Sequence, residues 1–221
     1  FAVNISNPEQ PQICGNFYYS AYVWELEFDN KTSILYVVSQ NGLLILDCSD
    51  LNNINQIAHY GTSDYYDVDI HYPYAYLAAG TIGMIVLDIK DPANPLFITI
   101  YSDNNTQNIK DIVIHDHFVY TLDFYTGITI LNCTDSTNPS FVSHFKHEDS
   151  EVNPYKGFMV SNYLFVANDK YFSIYNVSTN EVILVNEIPM YNAFDLWVED
   201  FVLYGACSEY GLEIIDIGFD Y

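Results

Sequence analysis

Apolar and polar positions alternate along the chain in short runs. Ile34–Val38, Tyr74–Ala78, Phe118–Leu122, Tyr163–Ala167 and Phe201–Gly205 are rich in β-branched and aromatic residues, with Gly, Pro, Asn, Asp or Ser nearby. Period-two runs with such flanks predict β-strands. No stretch of useful length carries the helical period. A second set of runs is still more regular. Leu43-Leu44-Ile45-Leu46-Asp47 returns as Met84-Ile85-Val86-Leu87-Asp88, Thr129-Ile130-Leu131-Asn132, Ser173-Ile174-Tyr175-Asn176 and Glu213-Ile214-Ile215-Asp216, and as a short copy, Ala2-Val3-Asn4. The anchoring Asp or Asn falls at 4, 47, 88, 132, 176 and 216, a period of about 42 residues.

The same four pieces return in each period. A short alternating stretch such as Asp67–Ile70, Asp111–Ile114 or Asp195–Val198 is followed by the aromatic-rich run. The anchor run comes next, introduced by Gly42, Gly83, Gly127 or Gly211, where a tight turn reverses the chain. A polar linker then leads to a fourth β-rich run, as in Ile57–Tyr60, Leu96–Tyr101 and Phe141–Phe145. Four strands in about 42 residues predict an all-β β-propeller of five blades, each of four antiparallel strands; a β-solenoid is the structural rival. The blades fall at 18–60, 61–101, 102–145, 146–188 and 189–221, within a single domain over 1–221. The last copy supplies three strands, so residues 7–17, and 11–17 in particular, are expected to add its fourth and close the ring. Six or more blades in a longer parent chain is the alternative, and Phe at position 1 fits a removed leader or a cut from something longer.

The fullest copy, Gly83-Met84-Ile85-Val86-Leu87-Asp88-Ile89-Lys90-Asp91-Pro92-Ala93-Asn94-Pro95, resembles the LVIVD repeat. The resemblance extends over all five periods. It departs from the pattern at Leu51-Asn52-Asn53-Ile54, which lacks the prolines, and at Ser178-Thr179-Asn180-Glu181, where the linker is short. It implies a propeller of the secreted or cell-surface kind and supplies no catalytic motif.

Charge narrows the function. With 6 Lys and no Arg against 29 acids, the formal charge is −23, which excludes ordinary nucleic-acid binding and argues against docking on anionic lipid. Aromatic residues make up 17% of the chain, among them 21 Tyr, so this is a folding sequence rather than an acidic tail. No apolar run is long enough to span a membrane.

Candidate chemistry starts at the innermost strand. Glu25, Asp67, Asp111 and Asp195 lie 21 or 22 residues before their anchors, so four copies put a carboxylate at one level near the axis, with Gly157 breaking the ring. Such a crown is a candidate Ca²⁺ site; alternatively each acid accepts backbone N–H bonds within its blade. No cofactor is otherwise required. Glycosylation sequons occur at Asn30 and Asn104, in loops, and at the anchors Asn4, Asn132 and Asn176, where the repeat itself favours Asn or Asp. Of four cysteines, Cys48 and Cys133 hold one repeat position in non-adjacent blades, too far apart for a bond. Cys14–Cys48 with Cys133–Cys207, Cys14–Cys133 with Cys48–Cys207, or no bridge remain open. His115 with His117, and His144 with His147, are paired candidates for a transition metal, although loop roles are commoner. No nucleophile triad, P-loop or dinucleotide fingerprint is present.

These features predict an extracellular or cell-surface propeller without catalytic activity, binding a protein or glycan ligand through loop aromatics: Tyr65, Tyr66, Tyr125, Tyr155 and Tyr191. The first alternative is a subunit of a self-assembling filament or layer. The second is a glycosidase-like enzyme using paired acids.

Overall fold

The computed structural model describes residues 1–179, 181–190, 192–208 and 210–218. Strands β1 (Ala2–Asn4) and β2 (Gln12–Gly15) form a small hairpin sheet. Four-stranded antiparallel sheets then follow in chain order. The first contains β3 (Val23–Asp29), β4 (Ile34–Ser39), β5 (Gly42–Asp47) and β6 (Asn55–Tyr60). The second contains β7 (Asp67–His71), β8 (Tyr74–Ala78), β9 (Met84–Asp88) and β10 (Leu96–Tyr101); the third, β11 (Ile109–His115), β12 (Phe118–Asp123), β13 (Gly127–Asn132) and β14 (Ser140–Phe145). The fourth contains β15 (Pro154–Val160), β16 (Tyr163–Asn168), β17 (Tyr171–Asn176) and β18 (Ile183–Pro189), and the last, β19 (Ala193–Glu199), β20 (Val202–Cys207) and β21 (Gly211–Asp216). These sheets are the five blades of a β-propeller, and no helix occurs among the described residues.

The pattern of burial explains the sequence pattern. In the first four sheets the second and third strands are covered on both faces, so β4, β5, β8 and β9 read as nearly continuous apolar runs, whereas β20 alternates and β21 has no buried residue. Fourth strands are the least covered, with no fully buried residue. The anchor has a local cause. Its side-chain oxygen accepts the backbone N–H two residues on, at 2.8–2.9 Å, in all six copies: Asn4 to Ser6, Asp47 to Ser49, Asp88 to Lys90, Asn132 to Thr134, Asn176 to Ser178 and Asp216 to Gly218. Asp and Asn close this turn more strongly than Ser or Thr, which accounts for their recurrence at the anchor.

The chain divides into two compact units, one formed by Phe1–Leu77 and Val86–Ile98, the other by Ala78–Ile85 and Thr99–Tyr221. In the first, Val37, Leu44, Leu46 and Cys48 are buried under Phe17, Tyr19, Leu35 and Ile54. In the second, Val113, Tyr120, Leu122, Ile128 and Ile130 of the third sheet pack on Leu164, Val166, Tyr175 and Val177 of the fourth. The opposite face of the fourth sheet, Phe165, Ala167, Phe172 and Ile174, packs on Leu196, Val198, Leu203 and Cys207 of the fifth. A side chain such as Phe172, wholly buried, contributes roughly 2–3 kcal/mol. Gly205 makes that possible, because a Cβ there would overlap the Phe172 ring.

One expectation is overturned. Residues 11–17 do not complete the last blade: β2 pairs antiparallel with β1, and the sheet β19-β20-β21 has three strands among the described residues. The reason is the repeat itself. Asn4 stands opposite Gln12, as Asp47 stands opposite Asn55 and Asn132 opposite Ser140. The N-terminal segment therefore folds as a third and fourth strand joined by a short connection, and closing so short a loop costs little chain entropy.

Candidate binding surface

The first strand of each blade carries the most distinctive local geometry. In β3, Val23 pairs with Ser39 but Glu25 pairs with Val38, leaving Trp24 as a bulge. The same register break sets off Lys110 between Ile109 and Asp111, Tyr155 between Pro154 and Lys156, and Phe194 between Ala193 and Asp195. Tyr66 occupies this place in the second copy, directly before Asp67. Bulges bend the strand and re-aim the extra side chain, and here that side chain is aromatic in four blades of five.

Neighbouring rings meet. In the first unit Trp24 lies 5.7 Å from Tyr66 and 6.4 Å from the exposed Tyr22. In the second, Tyr155 lies 5.2 Å from Phe194 and 5.3 Å from Phe124, which in turn meets the exposed Tyr125 edge-on at 4.9 Å. Trp24 and Phe194 remain half exposed, so apolar ring area stays open to solvent beside polar neighbours. The Tyr155 hydroxyl donates to Asp169 at 2.7 Å, and the Asn153 amide donates to the same carboxylate at 2.6 Å. Burial and this bond raise the Tyr155 pKa well above the ordinary phenol value.

Of the tyrosines expected at the surface, Tyr66 and Tyr155 are half-buried within these ring contacts and Tyr125 is exposed. Tyr191 lies outside the described residues. Tyr65 is a correction: it is 4% exposed, and burial pushes its hydroxyl up to about 12. It stands two residues before the acid, where Ile109 and Ala193 are also buried, while Tyr66 beside it is half-buried. Trp24, Phe194, Phe124 and Tyr22 were not anticipated. An aromatic directly before the acid in three copies was the legible signal.

Each of the inner-strand carboxylates has its own local surroundings. Asp111, 1% exposed, accepts the Gly157 N–H from β15 at 2.8 Å and pairs with Lys156 Nζ at 2.9 Å. Strand register places Lys156, opposite Ala167, at the level that Asp111 holds opposite Leu122. The ring is therefore interrupted by Lys156 and not by Gly157, because the fourth copy is one residue shorter before its anchor. Glu25 and Asp195 each accept the next residue's N–H, at 3.0 and 2.8 Å, and Asp67 is buried. Among the described residues no group of three or more His, Cys, Asp or Glu side chains is placed to hold a metal ion.

The other candidates have local roles. His144 Nδ1 lies 2.9 Å from the Thr129 hydroxyl, with its pKa lowered by burial. His147 Nε2 lies 3.0 Å from Glu187, which accepts from the Ser173 hydroxyl at 3.0 Å. His115 faces Asp116 at 4.0 Å, and His117 packs on Phe118. All four cysteines are free in the structure, three of them buried. Burial pushes the Cys133 thiol up to about 12. Asn30 and Asn104 are exposed; the hydroxyls of their sequon partners, Thr32 and Thr106, bond Asp29 and Asp103 at 2.7 and 3.3 Å.

Comparison with solved structures supports the architecture. The computationally designed Ika8 protein matches with a TM-score of 0.64 at 11% identity, over 90% of this chain and 59% of that one. This chain thus spans about three-fifths of that relative's length. The Cps50 (Swd1) β-propeller domain of Myceliophteria thermophila matches at 0.66 and 12% identity, over 90% and 68% of the two chains. A chain of a nidogen/laminin complex matches at 0.67 and 13%, over 89% and 76%. No curated protein matches in sequence. The LVIVD repeat model matches residues 34–62 and 65–103. This chain is a five-bladed β-propeller that carries LVIVD repeats.

Proposed function

We propose that the protein is a non-catalytic binding module of the cell surface or extracellular space, taking a protein or glycan ligand against the aromatic rings of its bulged inner strands. The observation that carries this reading is the pairing of those rings, Trp24 with Tyr66 and Tyr155 with Phe194, at 5.7 and 5.2 Å. Apolar ring area held rigidly beside hydrogen-bonding groups is costly to leave in water and suits either a sugar face or a peptide segment. The charge of −23 favours neutral or basic ligands over polyanionic ones. Exposed sequons at Asn30 and Asn104 support the extracellular placement.

Native cell-surface material passed over immobilised protein tests the reading, with Trp24→Ala/Phe194→Ala as control. Retention by the wild type that the variant loses is the expected result, and glycosidase or protease treatment of the retained ligand then separates the two ligand classes. Equal retention by both proteins would remove the aromatic positions from the function.

A further inference from the structure

Within the second unit, the loop between the third and fourth sheets, residues 146–153, is tied to the fourth sheet by a chain of polar contacts that starts at His147. The His147 side chain is largely buried, at 13% exposure. The Asp149 N–H donates to its Nδ1 at 3.0 Å. A backbone N–H can only donate, so Nδ1 carries the lone pair and the ring proton sits on Nε2, which donates to Glu187 of β18 at 3.0 Å. Glu187 also accepts from the Ser173 hydroxyl, which in turn accepts from the Asn168 amide at 2.9 Å. Both nitrogens of the neutral imidazole are thus satisfied, one as acceptor and one as donor.

The same loop leads into Tyr155. Asp149 and Glu151 each pair with Lys170 Nζ at 2.7 Å, and Asn153 and Tyr155 both donate to Asp169, the residue before that lysine. Loop and ring therefore hang on one turn, Asp169 and Lys170, between β16 and β17. A small cavity lined by His147, Val152, Asn168 and Tyr175 adjoins the loop and leaves it room to shift. The ionisable groups around the imidazole are Glu187 from β18, Asp149 from its own loop, Tyr171, whose ring lies 6.3 Å away, and Tyr175 across the cavity. Lys170 and Glu151 lie beyond Asp149, and Lys146 and Glu148 flank His147 in the chain.

We infer that protonation of His147 releases the loop at 147–153 and displaces Tyr155, so that pH regulates the ring cluster of the second unit. Histidine changes charge between about pH 5 and 8. The added proton goes to Nδ1, which then presents an N–H to the Asp149 N–H, two donors 3.0 Å apart. The nearest alternative acceptor, the Asp149 carbonyl, lies at 3.4 Å and already accepts the Val152 N–H at 3.2 Å, so the charged ring gains a good bond there only when the turn reorganises. That movement shifts Asp149 against Lys170 and, through Asp169, pulls on the Tyr155 hydroxyl. Its consequence for ligand binding rests on the function proposed above; the movement itself does not.

Nuclear magnetic resonance of the ligand-free full chain, titrated from about pH 8 to about pH 5, tests this. At the alkaline end the His147 ring nitrogens should report the Nε2–H tautomer. As the pH falls, the Asp149 amide and Tyr155 ring signals should shift along the titration curve of the His147 ring. In His147→Asn the side-chain oxygen takes the place of Nδ1 and gains no proton, so both signals should keep their alkaline positions throughout. An Nδ1–H tautomer at the alkaline end, a Tyr155 signal that does not follow His147 in the wild type, or one that still follows pH in folded His147→Asn would each overturn the inference. Because no ligand is present, a ring cluster that binds nothing would leave these results unchanged, and the two readings fail separately.

Discussion

Replacing Lys156 by Met should destabilise the second unit more than any other loss of a single charge near the axis. Asp111 is 1% exposed, and its carboxylate is held by Lys156 at 2.9 Å and by the Gly157 N–H at 2.8 Å. Deleting one partner of a buried ion pair strips the other charge of its counter-ion, at a cost of about 3–5 kcal/mol. Lys156 retains 24% side-chain exposure, which places the expected loss near the lower end, about 3 kcal/mol. Asp111→Asn should cost less, about 1–2 kcal/mol, because the amide still accepts from Gly157 and the lysine head can turn to water. The double variant should resemble Asp111→Asn alone, a coupling of about 3 kcal/mol between the sites. Urea unfolding followed by the fluorescence of Trp197, which lies 4.5 Å from Phe158, reads the second unit directly when the proteins also carry Trp24→Phe. A Lys156→Met loss under about 1 kcal/mol, or the same loss with Asp111→Asn already present, would mean that the pair does not join the two inner strands.

Other consequences follow from packing and burial. Gly205→Ala should cost about 2–3 kcal/mol by forcing a methyl group into the buried Phe172 ring, seen as a lower urea midpoint at unchanged slope. A thiol reagent should label Cys14 rapidly in the native protein and reach Cys48, Cys133 and Cys207 only on unfolding, since those three are buried with raised pKa values. Burial lowers the His144 pKa below its unfolded value, so the unfolded state binds the extra proton. Stability from this group is complete above about pH 6.5 and declines as the pH falls through that value toward the folded pKa; His144→Gln should flatten that part of the thermal melting profile.

Most of the architecture is legible in the sequence because the repeat writes each strand several times. The anchor Asp or Asn is favoured by its turn, the flanking glycines by chain reversal, and the doubly buried runs by their position between sheets. What is not legible depends on single-residue register. A bulge adds one residue to a strand without altering its composition, and burial can likewise change from one residue to the next, so Tyr65 reads as a surface partner of Tyr66 although it is buried in the core. The same one-residue offset hides Lys156 behind Gly157 at the axial level. The N-terminal hairpin is a matter of competition: residues 11–17 suit any open fourth-strand position, and the neighbouring Ala2–Asn4 offers one at far shorter chain separation.

Hydroxyl-radical footprinting with the ligand retained by the wild-type protein tests the division of labour most directly, aromatic bulges for binding and axial acids for scaffold. Protection should fall on a ring cluster, Trp24 with Tyr66 in the first unit or Tyr125, Tyr155 and Phe194 in the second, with the exposed Trp197 and Tyr72 reacting at the same rate with and without ligand. Protection at Trp197 or Tyr72 instead, with the bulge residues unchanged, would contradict the account.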